Sequence, residues 1–216
     1  MWEGQLSILP ESTLSPTLYP LGESMQAWAR RVLEVASEDP LVVVGCSMGG
    51  SCALEMARQA PARIAALVLV GANASHRPEP SVRDRYIASM RDGGIGAVWP
   101  ELESHVFGPT ADPAVVKRAM ALAMRQDVED VILATRVFHS RPDAVDVVAN
   151  WEKPLTVIVG DCDGFVSVEK SRRLATTAPQ GELHILPKCG HFVNLERPTE
   201  FNRIVGEVVQ RAGVTA

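Results

Sequence analysis

The sequence predicts an α/β protein in which a mostly parallel sheet carries helices on both faces and a helical insertion interrupts the core. First, continuous β-branched and aliphatic runs, such as LVVVG at residues 41–45, are typical of strands buried on both faces. Second, these runs alternate with helical stretches, the pattern that a parallel sheet with right-handed crossovers produces. Third, the alternation stops between about Asn73 and Asn150, where several helical stretches occur without a convincing strand.

The elements can be assigned in chain order from these patterns. Core strands are predicted at residues 41–45, 64–71, 155–160 and 182–187. Core helices are predicted at residues 24–36, 47–60, 168–178 and about 199–211, and insertion helices at about 81–92, 113–125 and 127–138. Ser24 caps the first helix, and Pro198 opens the last one. We therefore expect an α/β core at residues 1–72 and 151–216 and a helical cap at residues 73–150, lying over one end of the sheet.

Composition and charge narrow the classes of partner. Of the 216 residues, 46% are apolar and 22% are charged, values usual for a soluble globular protein, and the formal net charge is −5. Nucleic acid is not an expected partner, because binding phosphates needs a concentrated basic face. Arg83, Arg85 and Arg91 are interspersed with Asp84 and Asp92, so we interpret them as a solvated helix face.

The compartment is also predicted from the sequence. No apolar run approaches the ~20 residues of a membrane helix, and the N-terminus lacks the basic and then apolar segment of a signal peptide. Four cysteines in a chain of this length do not make a disulfide scaffold. We therefore expect a cytoplasmic protein without a membrane partner, whose oligomeric state the sequence leaves open.

A nucleophile is predicted at Ser47, in the stretch Gly45-Cys46-Ser47-Met48-Gly49. The stretch fits G-x-S-x-G between a strand and a helix, where small neighbours let the two elements approach closely. The turn exposes the serine oxygen at a helix N-terminus, whose free N–H groups favour developing negative charge. The N–H of Met48 is the expected oxyanion donor. The alternative is a phosphate-binding or merely tight turn.

Two later loops supply the base and the acid that an activated serine needs. His191 follows a glycine in a loop beyond the last strand, at the edge where open α/β sheets place their sites. The acid is predicted to be Asp163, three residues after the strand at 155–160, with Asp161 as the alternative or as a cap of the turn. The other histidines are expected to be surface or packing residues; they are His76, His105, His139 and His184.

These motifs resemble those of the α/β-hydrolase superfamily, in particular its small esterases with a helical cap. VVVGCSMGG is similar to the family's nucleophile elbow, VIVGDCDGFVS to its strand and acid loop, and PKCGHFVNLERPTEFN to its histidine loop and last helix. The chain order serine, aspartate, histidine is also the family's order. The resemblance covers nearly the whole chain and implies a serine hydrolase with no metal and no organic cofactor. Ser47 would attack, His191 would shuttle the proton, and Asp163 would hold and stabilise the imidazolium.

Cysteines mark one departure from the family. In the family, the residue before the nucleophile is often histidine, whereas in this sequence it is Cys46. Cys46, Cys162 and Cys189 each lie within two positions of a proposed triad residue. Their spacing fits no zinc site, so we interpret them as small apolar fillers and expect sensitivity to thiol reagents.

The N-terminal part is the larger departure. In the family, an HG-type loop that supplies the second oxyanion N–H precedes a segment resembling MWEGQLSIL, with which this sequence begins. SPTLYPLG at residues 15–22 is predicted as the next strand, and the strand that the family places between it and residues 41–45 is missing. Either the sequence begins at an internal methionine, or the 15–22 strand pairs directly with 41–45, or residues 5–9 take the missing place. We favour the first; a lost oxyanion donor typically costs about 10²–10³ in kcat.

The sequence thus predicts a hydrolase that forms an acyl-enzyme and acts on small, mostly apolar carboxylic esters. Most large apolar side chains of the insertion are expected to pack within the cap or against the sheet, and those facing the site would form an acyl pocket. They are Met90, Trp99, Phe107, Met120, Met124 and Phe138. Thioester hydrolysis, C–C bond hydrolysis and perhydrolysis on the same triad are alternatives. A non-catalytic binding protein of the same fold is another.

Overall fold

A computed structural model describes residues 1–76 and 78–214, and its core is a four-stranded, all-parallel sheet. The strands lie side by side in chain order, from β1 to β4. They are β1 (Leu41–Cys46), β2 (Ile64–Val70), β3 (Leu155–Gly160) and β4 (Gly181–Leu186). The predicted α/β class with a parallel sheet is confirmed, and each predicted core strand begins and ends within one residue of the observed one.

Helices cover both faces of this sheet. They are α1 (Met25–Val35), α2 (Met48–Gln59), α3 (Pro80–Val106), α4 (Pro113–Ala123), α5 (Val128–His139), α6 (Val145–Ala149), α7 (Val168–Thr177), α8 (Val193–Glu196) and α9 (Pro198–Arg211). Side chains of α1, α2 and α7 share one apolar core, whereas those of α9 belong to the core on the opposite face. The hydroxyl of Ser24 accepts from Ala27 N–H at 3.1 Å, so it caps α1. Within the described part of the chain, no helix combines the length and the hydropathy needed to cross a membrane.

Strand β2 shows why helices pack on both faces of the sheet. Ile64, Leu67 and Leu69 point into the core of α1, α2 and α7, and Val68 and Val70 point into the core of α9. All five side chains are fully buried. Each such burial contributes about 1.5–3 kcal/mol to stability. The packing on both faces holds the parallel strands so that all their carboxyl ends meet at one edge, where the loops after β1, β3 and β4 begin.

Between β2 and β3 the described residues form helices only, α3 to α6, in the region where the sequence predicted no strand. Helix α3 is longer than predicted, since it ends at Val106 instead of near residue 92. Its backbone is non-helical at Gly93 and Gly94, and Gly94 has a φ of 67°. Gly94 permits this kink because glycine adopts positive φ at little cost, so the helix bends where the sequence predicted its end.

Side chains of the insertion divide between packing and solvent. Met90 and Trp99 are buried, Phe107 and Phe138 are half-buried, and Met120 and Met124 are exposed. The first arginines of α3 lie at the surface, where Arg83 pairs with Asp84 and Arg85 pairs with Glu101. This agrees with a solvated helix face.

The prediction of a strand at residues 15–22 is wrong. The structure has a 3-10 turn at Tyr19–Leu21 and no regular structure before it in this segment. Pro16 and Pro20 lack the N–H groups that pairing with a neighbouring strand requires. Leu18 and the apolar residues of the turn pack against the core of α1 and α2 instead.

The alternative of a strand at residues 5–9 is also wrong. The chain forms a 3-10 turn at Glu3–Gln5 and continues in further turns. The buried amide of Gln5 donates to Asn194 O at 3.2 Å and to Asn202 Oδ1 at 3.0 Å. These bonds hold the segment against α8 and α9, and within the described residues it does not pair with β1. Strand β1 is therefore an edge of the described sheet.

Candidate active site

Ser47 lies in a one-residue turn between β1 and α2. Its φ and ψ are 53° and −117°, a conformation that a non-glycine residue adopts only where its surroundings enforce it. The N–H of Ser47 donates to Val70 O at 2.9 Å, which ties the turn to the end of β2. A Cβ at Gly45 would lie 2.3 Å from Gly49 O, so the strand and the helix approach too closely for any residue but glycine.

The surroundings of the Ser47 side chain suit a nucleophile. Ser47 is half-buried, and its hydroxyl does not cap α2. Met48 is the first residue of α2, so its N–H has no acceptor within the helix. This N–H and the positive end of the helix dipole favour negative charge beside Ser47, where attack on a carbonyl would create it.

Asp163 and His191 form a buried, hydrogen-bonded pair. Asp163 Oδ2 lies 2.8 Å from His191 Nδ1, and the two side chains are 0% and 3% exposed. Asp163 Oδ1 accepts from the N–H groups of Phe165 at 2.8 Å and Val166 at 2.9 Å, so its own loop orients the carboxylate. An ionised carboxylate only accepts hydrogen bonds, which assigns the proton to Nδ1 and leaves Nε2 as a proton acceptor.

The alternative acid, Asp161, has different partners. Its Oδ1 accepts from the N–H of Cys189 at 3.4 Å and from the thiol of Cys162 at 3.2 Å. Asp161 is exposed, whereas the side chain of Asp163 is not. The structure therefore pairs His191 with Asp163 and leaves Asp161 to connect the two loops.

Gly71 brings this pair beside the turn that carries Ser47. Its φ is 49°, in the region that favours glycine, and a Cβ there would lie 2.6 Å from His191 Nδ1 and 3.0 Å from Asp163 Oδ2. Gly71 directly follows Val70, whose carbonyl holds Ser47, so the three candidate residues share the carboxyl edge of the sheet. Within the described part of the chain, no hydrogen bond joins the Ser47 hydroxyl to His191. Such bonds are often long before a substrate binds.

Aromatic rings border the imidazole of His191. The ring of Phe165 meets it edge-on, with centroids 5.3 Å apart, and stacks on His105 at the same distance. Phe165 is 39% exposed, so it offers an apolar surface to a molecule near the base. The ring of Phe192 lies 5.7 Å from His191 on another side. Sequence reasoning did not single out Phe165; its place two residues after Asp163 was the available signal.

Two other histidines lie together in the insertion. His76 Nε2 is 3.1 Å from His139 O. Burial, followed by the charge of Arg141, lowers the pKa of both imidazoles. The hydrogen bond of His76 thus serves the packing of the insertion, in keeping with the role expected from the sequence.

Three thiols border the site. Cys46 and Cys189 are buried and Cys162 is exposed. Burial raises the pKa of the Cys189 thiol to about 12 and also raises the pKa of Cys46, so neither is a thiolate at neutral pH. The described residues contain no cluster of three or more histidine, cysteine, aspartate or glutamate side chains suited to a metal ion.

The sequence and the fold are similar to those of known proteins. Residues 9–204 match the model of the Alpha/beta hydrolase family. The 2-hydroxy-6-oxononadienedioate/2-hydroxy-6-oxononatrienedioate hydrolase of Burkholderia vietnamiensis is 27% identical over 178 residues, which are 78% of this chain. The match spans only 62% of that relative's length. The pimeloyl-(acyl-carrier protein) methyl ester esterase of Aromatoleum aromaticum is 27% identical over 208 residues, 88% of this chain and 81% of that protein.

A solved structure shows the same fold. The thermophilic esterase from Thermogutta terrifontis, with malate bound, gives a TM-score of 0.83 at 23% identity. The match covers 98% of this chain and 85% of that chain. At this identity the likeness shows the fold alone.

Proposed function

The chain belongs to the alpha/beta hydrolase family, and from this premise we propose that it is a serine hydrolase that cleaves small, mostly apolar carboxylic esters. The observation that carries the proposal is the buried 2.8 Å contact between Asp163 and His191 beside the strained turn at Ser47. A histidine that a carboxylate orients next to an accessible serine is suited to acyl transfer.

In the proposed reaction, Ser47 Oγ attacks the ester carbonyl while His191 Nε2 takes the hydroxyl proton. Asp163 stabilises the resulting imidazolium through Nδ1, and the N–H of Met48 donates to the oxyanion. The tetrahedral intermediate expels the alcohol, which takes the proton from His191, and the acyl group stays on Ser47. A water molecule then gives a proton to His191 and attacks the acyl-enzyme. The second tetrahedral intermediate releases the carboxylic acid as Ser47 Oγ takes this proton from His191, which restores the free enzyme. The cycle uses no metal and no organic cofactor.

The nucleophile is tested with a fluorophosphonate probe. We expect one label on Ser47, located by mass spectrometry, and none on Ser47→Ala. The variant should unfold at the temperature of the wild type, because the hydroxyl makes no hydrogen bond within α2. A well-folded wild-type protein that takes no label would refute the proposed function and favour a non-catalytic binding protein.

The preference for apolar substrates rests on the surface beside His191. Phe165 contributes an exposed ring at 5.3 Å from the imidazole. Phe165→Ala should lower kcat/KM for a p-nitrophenyl hexanoate by about tenfold more than for the acetate, the effect of losing ~1.4 kcal/mol of apolar contact. Equal losses on both esters would place the acyl pocket elsewhere.

C–C bond hydrolysis on the same triad is a second candidate, favoured by the relative from Burkholderia vietnamiensis. That protein's name gives 2-hydroxy-6-oxononadienedioate as a substrate. A panel of substrates distinguishes these reactions. It contains this compound, p-nitrophenyl esters, an acyl thioester, and an ester together with hydrogen peroxide. Turnover of the dienedioate without turnover of esters would replace our proposal by C–C hydrolysis, and thioester hydrolysis and perhydrolysis are judged in the same panel.

A further inference from the structure

The end of helix α3 contacts both loops of the proposed site through its backbone. His105 O accepts from the N–H of Gly164, in the acid loop, at 3.0 Å. Val106 O accepts from the N–H of His191 at 2.9 Å and from the N–H of Phe192 at 3.2 Å. The position of His191 thus depends on the insertion as well as on the sheet.

Glu196 joins the same two parts of the chain through its side chain. It is the last residue of α8 and is only 9% exposed. Its Oε1 accepts from the N–H of Gly190 at 2.9 Å, and its Oε2 accepts from the N–H of Gly108 at 3.0 Å. Gly190 precedes His191, and Gly108 follows the end of α3 by two residues. One carboxylate therefore connects the histidine loop to the insertion.

The two backbones meet here without room for side chains. A Cβ at Gly190 would lie 2.6 Å from both Gly108 N and Val106 O. A Cβ at Gly108 would lie 2.7 Å from Lys188 O. Because both glycines are buried, their N–H groups depend on a protein acceptor, and Glu196 supplies it.

The chemistry of the position explains why a carboxylate is present. Burial raises the pKa of Glu196 above its usual value, and the N–H groups of Gly190 and Gly108 and the charge of Arg197 offset only part of this rise. A glutamine at this position would have one acceptor oxygen and would turn its NH₂ group toward the second N–H. A carboxylate accepts from both N–H groups at once.

We propose that Glu196 is a positioning residue that holds the loop of His191 against the end of α3. It acts through Gly190 on the residue that follows, and it does not touch the reacting atoms. The proposal rests on the proposed role of His191 as the general base. If it is correct, the insertion and the base move as one unit.

The test compares Glu196→Gln with Glu200→Gln, a matched change at an exposed glutamate in the first turn of α9. In Glu196→Gln we expect the fluorophosphonate labelling rate and the kcat for ester hydrolysis to fall about 10–100-fold, because a displacement approaching 1 Å costs up to about 10²-fold. KM should not change, since Glu196 does not contact the substrate. Glu200→Gln should stay within about twofold of the wild type, as surface changes usually do.

A merely structural role predicts a different result. It would lower the melting temperature and leave kcat unchanged in assays well below that temperature. Glu196→Asp serves as a second variant if the glutamine variant does not fold, because it keeps the charge but is one methylene too short to reach both N–H groups. Folded variants whose kcat and labelling rate stay within about twofold of the wild type would overturn the proposal.

The proton on His191 Nδ1 gives a readout that needs no turnover. Because this proton lies between Nδ1 and Asp163 Oδ2, its NMR signal reports the geometry of the pair. We expect the signal to shift or to broaden in Glu196→Gln and to stay unchanged in Glu200→Gln. An unlabelled wild-type protein would refute the proposed function alone, whereas an unchanged signal in Glu196→Gln would refute the role of Glu196.

Discussion

Gly71→Ala adds one methyl group beside the Asp163–His191 pair and tests how closely the site is packed. The added Cβ would lie 2.6 Å from His191 Nδ1 and 2.8 Å from His191 Cε1. Ordinary contacts between heavy atoms begin at about 3.5 Å, so the imidazole has to retreat by about 0.9 Å. The Cβ would also lie 3.0 Å from Asp163 Oδ2, so the acid cannot follow the ring without moving as well.

The magnitude of the effect follows from this displacement. A misplacement of about 1 Å costs about 10²-fold in rate, which equals about 2.7 kcal/mol of lost transition-state stabilisation. A separate cost arises because Gly71 has a φ of 49°, where alanine is strained by ~1–2 kcal/mol. For a chain of this size, that strain lowers the melting temperature by about 2–8 °C.

Gly94→Ala separates the two effects. Gly94 also has a positive φ, of 67°, but a Cβ there meets no atom within 4 Å. We expect both variants to melt earlier and only Gly71→Ala to lose activity, measured as p-nitrophenyl butyrate hydrolysis and as fluorophosphonate labelling well below the melting temperature. The reasoning is refuted if Gly71→Ala keeps activity within about twofold of the wild type, or if Gly94→Ala loses as much.

Further predictions concern the acid, an exposed thiol and a half-buried imidazole. Asp163→Asn should lower kcat by about 10⁴-fold, since an amide facing Nδ1 favours the wrong imidazole tautomer, and Asp161→Asn should retain turnover; the reverse result in ester hydrolysis would reassign the acid. Iodoacetamide should modify the native protein once, at Cys162, because the other three thiols are buried; mass spectrometry of Cys162→Ser should then show no label. Burial and the charge of Arg141 lower the pKa of His139 in the folded protein. As the pH falls through about 6.5, the unfolded chain therefore binds a proton at this residue more readily than the folded protein, and the free energy of unfolding decreases. His139→Gln should make this fall shallower in melting temperatures taken between about pH 7.5 and about pH 5.5, and an unchanged slope would contradict the assignment.

Local patterns were sufficient to predict most of the secondary structure. The run LVVVG predicted a strand, and β1 forms there, but its first four residues are only half-buried because β1 lies at an edge of the described sheet. Ser24 marks the start of α1 because its hydroxyl accepts from the first turn. The prediction failed at residues 15–22, where the order of elements in the resembled family suggested a strand. Prolines within that segment and its packing against α1 and α2 produce a turn instead.

The sequence by itself determined which residue types stand at the proposed site. The motif around Ser47 is recognisable because its steric needs are local: Gly45 and Gly49 face each other within five residues. The alternation of strands and helices likewise follows from neighbouring residues, so it can be read along the chain.

Only the tertiary structure decided which partners meet. Asp161 and Asp163 are two residues apart in one loop, and the choice between them depends on a histidine 28 residues further along the chain. Glu196 acquires its two partners in the same way, since Gly108 lies 88 residues before it. Contacts of this kind leave no periodic or local pattern, because they arise when the packing of α3 and the sheet brings separate loops to one edge.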